Sequence, residues 1–497
     1  MHFFTTRCVA LPHMVGVACL LLPFFSATAW AQPSTDSSAV VAVPMSELHE
    51  IRAELRHLRS VVNRLPAHEF EFSSERKTSG VVDHSHLLTI GAGKPDCTGN
   101  SCKGCCGCYP CQCPLSPAPC IDCPHVSTLS PYFNVSLFGA LKLDMILSNA
   151  RSISPGTPFF LTPGSLPGFD QDTVSVHGRQ STLGAVITGP QIGGFQSGGS
   201  LVALFFNDSV IADQYGILPL QAFGELRNQD WRFAAGLQFD VFAPGIPTVL
   251  PFSALASSGN AGNSFRGQVR LERFLQPAND MQWTIQAALS EPIVSTIDPT
   301  FRLIEDNGWP NVEGRVVLGL GMVEGMGLAA KRPFEIGVSG VVGQIRTTVP
   351  TVEQEVADVW GLSADFRWKV NDCFGFMGEL YTGQSLGTYN GGILQNVNRD
   401  TLEGIRSSGG WLEVFVYWTP CLHSHVGWGI DDPIDRDVDV APLALGRIRN
   451  SVFYSNLLWD LNQTFRVGFE FTYRETDYRS LPDNEGAGFH TQFQWAF

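Results

Sequence analysis

Charge is scarce in this chain: Asp, Glu, Lys and Arg together make up only 16% of its 497 residues, beside 50 glycines and a hydrophobic fraction of 44%. What charge there is has an acidic balance, formally −15, which argues against nucleic acid as a partner. Long apolar runs are also missing. Beyond the first thirty residues nothing approaches the roughly 20 consecutive apolar residues of a spanning helix, which argues against a helical membrane protein. Cys-x-x-Cys-His does not occur, which removes c-type haem attachment. Gly319-Leu-Gly321 near Gly325 has the wrong spacing for a dinucleotide loop and lies in a strand pattern. Gly383-Gln-Ser385-Leu-Gly387 matches the nucleophile-elbow spacing, but that chemistry needs a strand-to-helix turn, and Ser385 opens a Gly/Asn-rich loop. No catalytic residues, cofactor or metal are therefore expected, and the chain is not read as an enzyme.

What is present begins with an export signal. Arg7, an apolar segment from Val15 to Phe25, and Ala29-Trp30-Ala31 before Gln32 read as a signal peptide over 1–31. Lipidation at Cys19 is disfavoured, because Gly16-Val17-Ala18 lacks the large aliphatic residue such a site uses. Leu48, Ile51, Leu55, Leu58, Val62 and Leu65 then recur at alternating spacings of three and four, a short coiled-coil seam bounded by Pro44 and Pro66. It reads as an oligomerisation element or as a helix packed on its own domain, and the heptads alone do not set the number of chains. Residues 67–131 read as a linker that carries Cys97, Cys102, Cys105, Cys106, Cys108, Cys111, Cys113, Cys120 and Cys123. In an exported chain such density is first a disulfide scaffold. The three Cys-x-x-Cys pairs, with His84, His86 and His125 nearby, also fit zinc spacing. Nine is odd, so one sulfur pairs elsewhere, and Cys373 and Cys421 are the further disulfide candidates.

From Tyr132 to Phe497 the hydrophobic period is two. Val135, Leu137, Leu141, Leu143, Met145 and Leu147 alternate with Asn134, Ser136, Lys142, Asp144 and Ser148. Further strands are expected near 173–188, 199–207, 218–227, 231–242, 264–274, 281–290, 311–321, 332–347, 357–370, 374–384, 410–419, 422–430, 447–459, 464–475 and 486–497. The count is sixteen, with short connections after even strands and mostly longer ones after odd strands. That pattern predicts an all-β protein: a 16-stranded antiparallel transmembrane β-barrel over 132–497, preceded by a short periplasmic coiled coil over 44–66. Outer-membrane lipid is then its surroundings. The last strand, with Phe489, Phe493, Trp495 and Phe497 on one face, resembles the C-terminal assembly signal of such barrels.

A barrel of this size leaves an aqueous channel. Proline-rich residues 243–263 are similar in their place among the long connections to the loop that folds into the lumen of general porins, which implies the same here. An arginine facing lipid at midplane costs roughly 2–4 kcal/mol, so by parity Lys142, Arg179, Arg227, Arg232, Arg266, Arg270, Arg367, Arg466 and Arg474 face the lumen. Asp144, Glu225, Asp240, Glu272, Asp365, Glu379 and Glu470 face it too, and Arg273 breaks the rule at a rim. The arginines either favour anions or pair with these carboxylates, and parity does not separate the two. His423 and His425 read as solvated turn residues near Cys421.

The export signal, the short coil, Gly139-Ala-Leu-Lys142-Leu-Asp144 and His177-Gly-Arg179-Gln-Ser-Thr-Leu-Gly184 together resemble the DcaP-like trimeric outer-membrane porins. The resemblance implies a homotrimer of 16-stranded barrels in the outer membrane, taking up small hydrophilic, often anionic, solutes past Lys142, Asp144 and Arg179. The cysteine-rich linker departs from that pattern. The expected function is mildly anion-preferring passive diffusion. The alternative is a disulfide-crosslinked structural protein of the cell envelope with a closed pore.

Overall fold

The computed structural model describes residues 126–130, 133–164, 171–207, 210–292, 309–324, 331–347, 355–398, 401–440 and 446–497. The signal, the coil seam from Leu48 to Leu65 and the nine cysteines from Cys97 to Cys123 lie outside the described residues.

The strands are β1 (Val126–Ser130), β2 (Phe133–Ser148), β3 (Thr173–His177), β4 (Thr182–Ile192), β5 (Phe195–Phe206), β6 (Tyr215–Arg227), β7 (Trp231–Phe239), β8 (Phe265–Ala278) and β9 (Met281–Ser290). They continue as β10 (Asn311–Leu320), β11 (Phe334–Thr347), β12 (Glu355–Lys369), β13 (Phe374–Gln384), β14 (Arg406–Thr419), β15 (Leu422–Pro433), β16 (Arg447–Asp460), β17 (Phe465–Tyr478) and β18 (Asn484–Ala496). Each pairs antiparallel with its neighbour, and β18 closes on β2 with Ala496 opposite Ala140 and Gly488 opposite Ser148. Phe497 exchanges both backbone hydrogen bonds with Gly139, each 3.0 Å. Gly139 has no room for a side chain, because a Cβ there would meet the Phe497 ring and the Thr182 carbonyl.

Eighteen strands make a sixteen-stranded wall, because β3 and β4 are two halves of one strand on the same edge of β2 and the five-residue β1 only extends the start of β2. The sequence suggests a continuous strand over 173–188; the ladder instead breaks at 178–181. There the Ser181 hydroxyl accepts the Lys142 backbone N–H at 2.9 Å, and Arg179 turns to Asp213. Residues 126–130, read from sequence as the end of the linker, form β1 against the start of β2.

Alternation along each strand produces the two faces. Leu141, Leu143, Met145 and Leu147 are exposed outward while Asp144 and Ile146 between them are buried. At the short-turn end Trp231 on β7 and Trp368, Trp418, Trp459 and Trp495 on β12, β14, β16 and β18 stand exposed, an aromatic girdle of the kind that sits at a membrane interface.

Three short turns share one device. Asn228, Asn371 and Asn462 each accept, through Oδ1, the backbone N–H groups two and three residues on, at 2.7–3.0 Å. Thr419 does the same through its hydroxyl. These side chains substitute for the missing ladder partners and close the hairpins tightly. Cys373 and Cys421 occupy such turns, and no disulfide joins them to each other.

Candidate functional site: the loop folded into the lumen

Connection L3 (residues 240–264), between β7 and β8, enters the barrel. Pro244, Pro247 and Pro251 remove amide donors and hold the chain extended. The amides that remain need acceptors inside the wall, and carboxylates supply them. Val241 and Phe242 donate to Glu313 Oε2 at 2.7 and 3.1 Å. Gly245 donates to Glu379 Oε2 at 2.8 Å, Thr248 to Glu413 Oε2 at 2.6 Å, and Leu250 to Glu470 Oε2 at 3.0 Å. The amides used at 242, 245 and 248 recur every third residue, the period of an extended proline-rich chain. L3 therefore runs along the inner wall from β10 to β17 on a ladder of four glutamates, each at most 1% exposed. This accounts for the absence of charge from 241 to 264: the charge that holds this run stands on the wall.

Two other connections pack on L3. In L1 (149–172) the Phe159 carbonyl accepts from Ser257 Oγ at 3.0 Å, from Asn450 Nδ2 at 3.1 Å and from Arg474. In L6 (385–405) the carbonyls of Tyr389 and Asn390 accept the amides of Gly262 and Ser257. Phe242, Leu386, Tyr389 and Ile393 are wholly buried between loops and wall. Ser385, the nucleophile-elbow serine, is likewise fully buried, with φ +56°, at the start of L6.

The cations expected in the lumen fall into two groups. Arg232 pairs with Glu225 at 2.5 Å and Glu272 at 3.0 Å; Arg270 also reaches Glu272, at 3.6 Å. Arg266 pairs with Asp240 at 2.6 Å, Arg466 with Asp460 at 2.5 Å and Arg179 with Asp213 at 2.7 Å. Arg474 is held by Phe159 O and by Ser258 Oγ at 2.8 Å. Asp144 accepts from His490 at 2.9 Å and Gln492 at 2.6 Å, which ties the last strand to the first. Lys142, Arg227 and Arg367, by contrast, have no carboxylate partner among the described residues. Arg227 lies 5.2 Å over Phe274 in a polar cavity of about 830 Å³ that includes Thr188, Gln196 and Gln282. Arg227 and Arg367 lie near the short-turn ends of β6 and β12, and Lys142 lies in the middle of β2. Arg273 sits at the rim, over Trp231 and 3.5 Å from Asp230.

Sequence reasoning left out Glu313, Glu413 and Arg315, which pairs with the expected Asp365 at 2.5 Å. Strand parity marks all of them as inward, since none could face lipid cheaply. It also misplaced two histidines. His423 and His425 are not solvated turn residues: both lie within β15, on its inner face, and are 1% and 2% exposed.

No family model matches the chain, and no curated protein sequence matches it. Among solved structures it is similar in fold to the outer-membrane channel DcaP of Acinetobacter baumannii, at TM-score 0.57 and 14% identity, over 75% of this chain and 100% of that one. It also matches an anion-selective porin from Comamonas acidovorans at TM-score 0.47 and 12% identity, covering 73% of this chain and all of that one. Pseudomonas putida OprB matches at TM-score 0.48 and 9% identity, over 74% of this chain and 94% of that chain.

Proposed function

We propose that the chain is an outer-membrane porin through which small hydrophilic solutes diffuse passively, with a mild preference for anions. The observation that carries this is a closed sixteen-stranded barrel, apolar outside and charged inside, with a proline-rich loop pinned along its inner wall. A barrel of that strand number encloses water rather than a side-chain core. The wall from β4 to β12 at the short-turn end carries the half-buried polar groups that a solute would meet. Most lumen arginines are neutralised by neighbouring carboxylates, so selectivity rests on Lys142, Arg227 and Arg367, which approach the lumen from separate strands.

The short-turn end, with its tryptophan girdle and the terminal Phe497, lies on the periplasmic side in this reading. The coil seam and the cysteine-rich linker are then periplasmic too, and the coil holds a homotrimer together. The crosslinked envelope protein with a closed pore gains no support from the described residues. The likeness in fold to DcaP supports the channel reading.

Selectivity is tested by reversal potential in a salt gradient. The triple variant Lys142→Gln, Arg227→Gln, Arg367→Gln is expected to lower the anion-to-cation permeability ratio by roughly two- to fivefold, the size that removing a few tenths to one kcal/mol of partly screened charge attraction gives. An unchanged ratio would place the selectivity elsewhere.

A further inference from the structure

The four histidines among the described residues, His177, His423, His425 and His490, are all buried. Two of them form a chain. His425 Nδ1 faces Glu413 Oε1 at 2.6 Å, His425 Nε2 faces His423 Nδ1 at 2.8 Å, and His423 Nε2 faces Asp460 Oδ2 at 3.3 Å. One end reaches the short-turn rim, where Arg466 Nε and Nη2 hold Asp460 at 2.5 and 3.1 Å. The other end reaches L3. Glu413 accepts the Thr248 amide, and the Thr248 carbonyl accepts from Asn456 Nδ2, whose Oδ1 accepts the His425 backbone N–H at 3.1 Å.

Counting protons gives this chain a single complete state. Three links between two carboxylates and four ring nitrogens need three protons. Two neutral imidazoles bring two, which leaves a ring nitrogen lone pair against a carboxylate. One neutral ring and one imidazolium complete all three links. A fourth proton makes both rings cationic, sets N–H against N–H between His423 and His425, and forces that link open.

The surrounding charges come from every neighbouring element. Glu413 and Tyr417 stand on β14, with Tyr417 stacked on His423 at 5.0 Å. Asp460 and Tyr454 come from β16, the tyrosine donating to Glu413 at 2.7 Å. Arg466 and Glu470 come from β17. Arg367 on β12 lies over Phe415, which packs on His425. Lys331, before β11, is within electrostatic reach of Glu413, and Lys142 on β2 is within reach of Arg466. Three carboxylates and four cations thus stand around the pair, and the proton count of the chain itself sets which links are made.

We propose that the His423–His425 pair is an acid-operated latch on L3. Its fourth proton parts the rings and loosens the grip of Glu413 and Asn456 on Thr248. Neither ring touches the wall that a solute would meet, so the latch acts through the loop.

The test is hydrogen–deuterium exchange of the full-length protein in detergent or bilayer, reading the peptides that span 241–252 at pH 7.5 and pH 5, values that bracket ordinary imidazole titration. Comparison with His425→Gln and His423→Gln at the same pH removes the intrinsic effect of acid on exchange. Glutamine keeps an amide donor but takes no proton. Wild-type protection of these peptides is expected to fall at least tenfold relative to either variant at pH 5, and to match the variants within twofold at pH 7.5. A wild type that keeps its protection at pH 5, or variants that lose it equally, would overturn the latch. Heat-modifiable gel mobility shows which variants are folded, and either one alone suffices. In planar bilayers, where the inference rests on the channel reading, the wild type is expected to flicker at pH 5 and the variants to stay steady. Absence of current at every pH would count against the channel alone, and the exchange result would still decide the latch.

Discussion

Glu413→Ala is expected to destabilise the folded barrel by about 3–5 kcal/mol, the range for stripping one partner from a buried charged network. The carboxylate is fully buried and serves three donors at once: the Thr248 amide at 2.6 Å, the Tyr454 hydroxyl at 2.7 Å and His425 Nδ1 at 2.6 Å. Alanine leaves all three without an acceptor, and no water-exposed rearrangement is open to a backbone amide fixed between Pro247 and Pro251. L3 would lose the middle of its ladder while Glu379 and Glu470 still hold either side. Channel current should therefore become noisy even where the barrel survives. Glu413→Gln keeps one acceptor oxygen for Thr248 and should cost less than half as much. Denaturant unfolding followed by gel mobility, with parallel current records, checks both variants. Equal stability of Glu413→Ala and wild type would mean that the ladder does not bear the loop.

The second large effect is expected at Arg266. Its guanidinium is wholly buried, pairs with the equally buried Asp240, donates to Thr388 O at 3.0 Å and Glu291 O at 3.1 Å, and lies 3.9 Å over the Tyr389 ring. One side chain thus joins the start of L3, the top of β8 and L6. Arg266→Ala leaves Asp240 as an uncompensated buried charge, again about 3–5 kcal/mol. Adding Asp240→Asn removes that charge and should recover a third or more of the loss, which a double-mutant cycle would resolve. Strict additivity of the two substitutions would show that the pair does not act as a unit.

Much of the wall is legible in the sequence because a membrane strand has only two kinds of neighbour. Leu141 to Leu147 must face lipid, and Lys142 and Asp144 must not, so parity alone orders the strands and their inner faces. The losses occur where the fold departs from that rule. The break between β3 and β4 is set by Arg179 reaching Asp213 and His177 reaching the Gly156 carbonyl, contacts to remote loops that no local pattern encodes. β14 begins at Arg406, earlier than the pattern suggests, because the Ser407-Ser-Gly-Gly410 stretch looks like loop yet pairs fully with β13. His423 and His425 were legible in principle: Val426 and Trp428 on the same strand are exposed outward, which places the odd positions inside.

The glutamate ladder was half legible. Parity puts Glu379 and Glu470 inside, and the prolines mark L3 as extended. That the glutamates accept backbone amides of L3, instead of pairing with the lumen arginines, depends on where the loop crosses the wall. Charge pairing likewise needed the structure: Arg232 and Arg466 find carboxylates on neighbouring strands and Arg266 finds Asp240 at the start of L3, which leaves Lys142, Arg227 and Arg367 of the expected cations for a solute.

The central claim, that a pore passes between L3 and the opposite wall, is tested most directly by single-channel recording of the purified full-length protein in planar bilayers at pH 7.5. The account predicts stepwise, long-lived current increments whose size rises when Ile246 and Thr248, at the wall-side run of L3, are replaced by glycine. A protein that inserts as a heat-resistant barrel yet gives no current steps would contradict it.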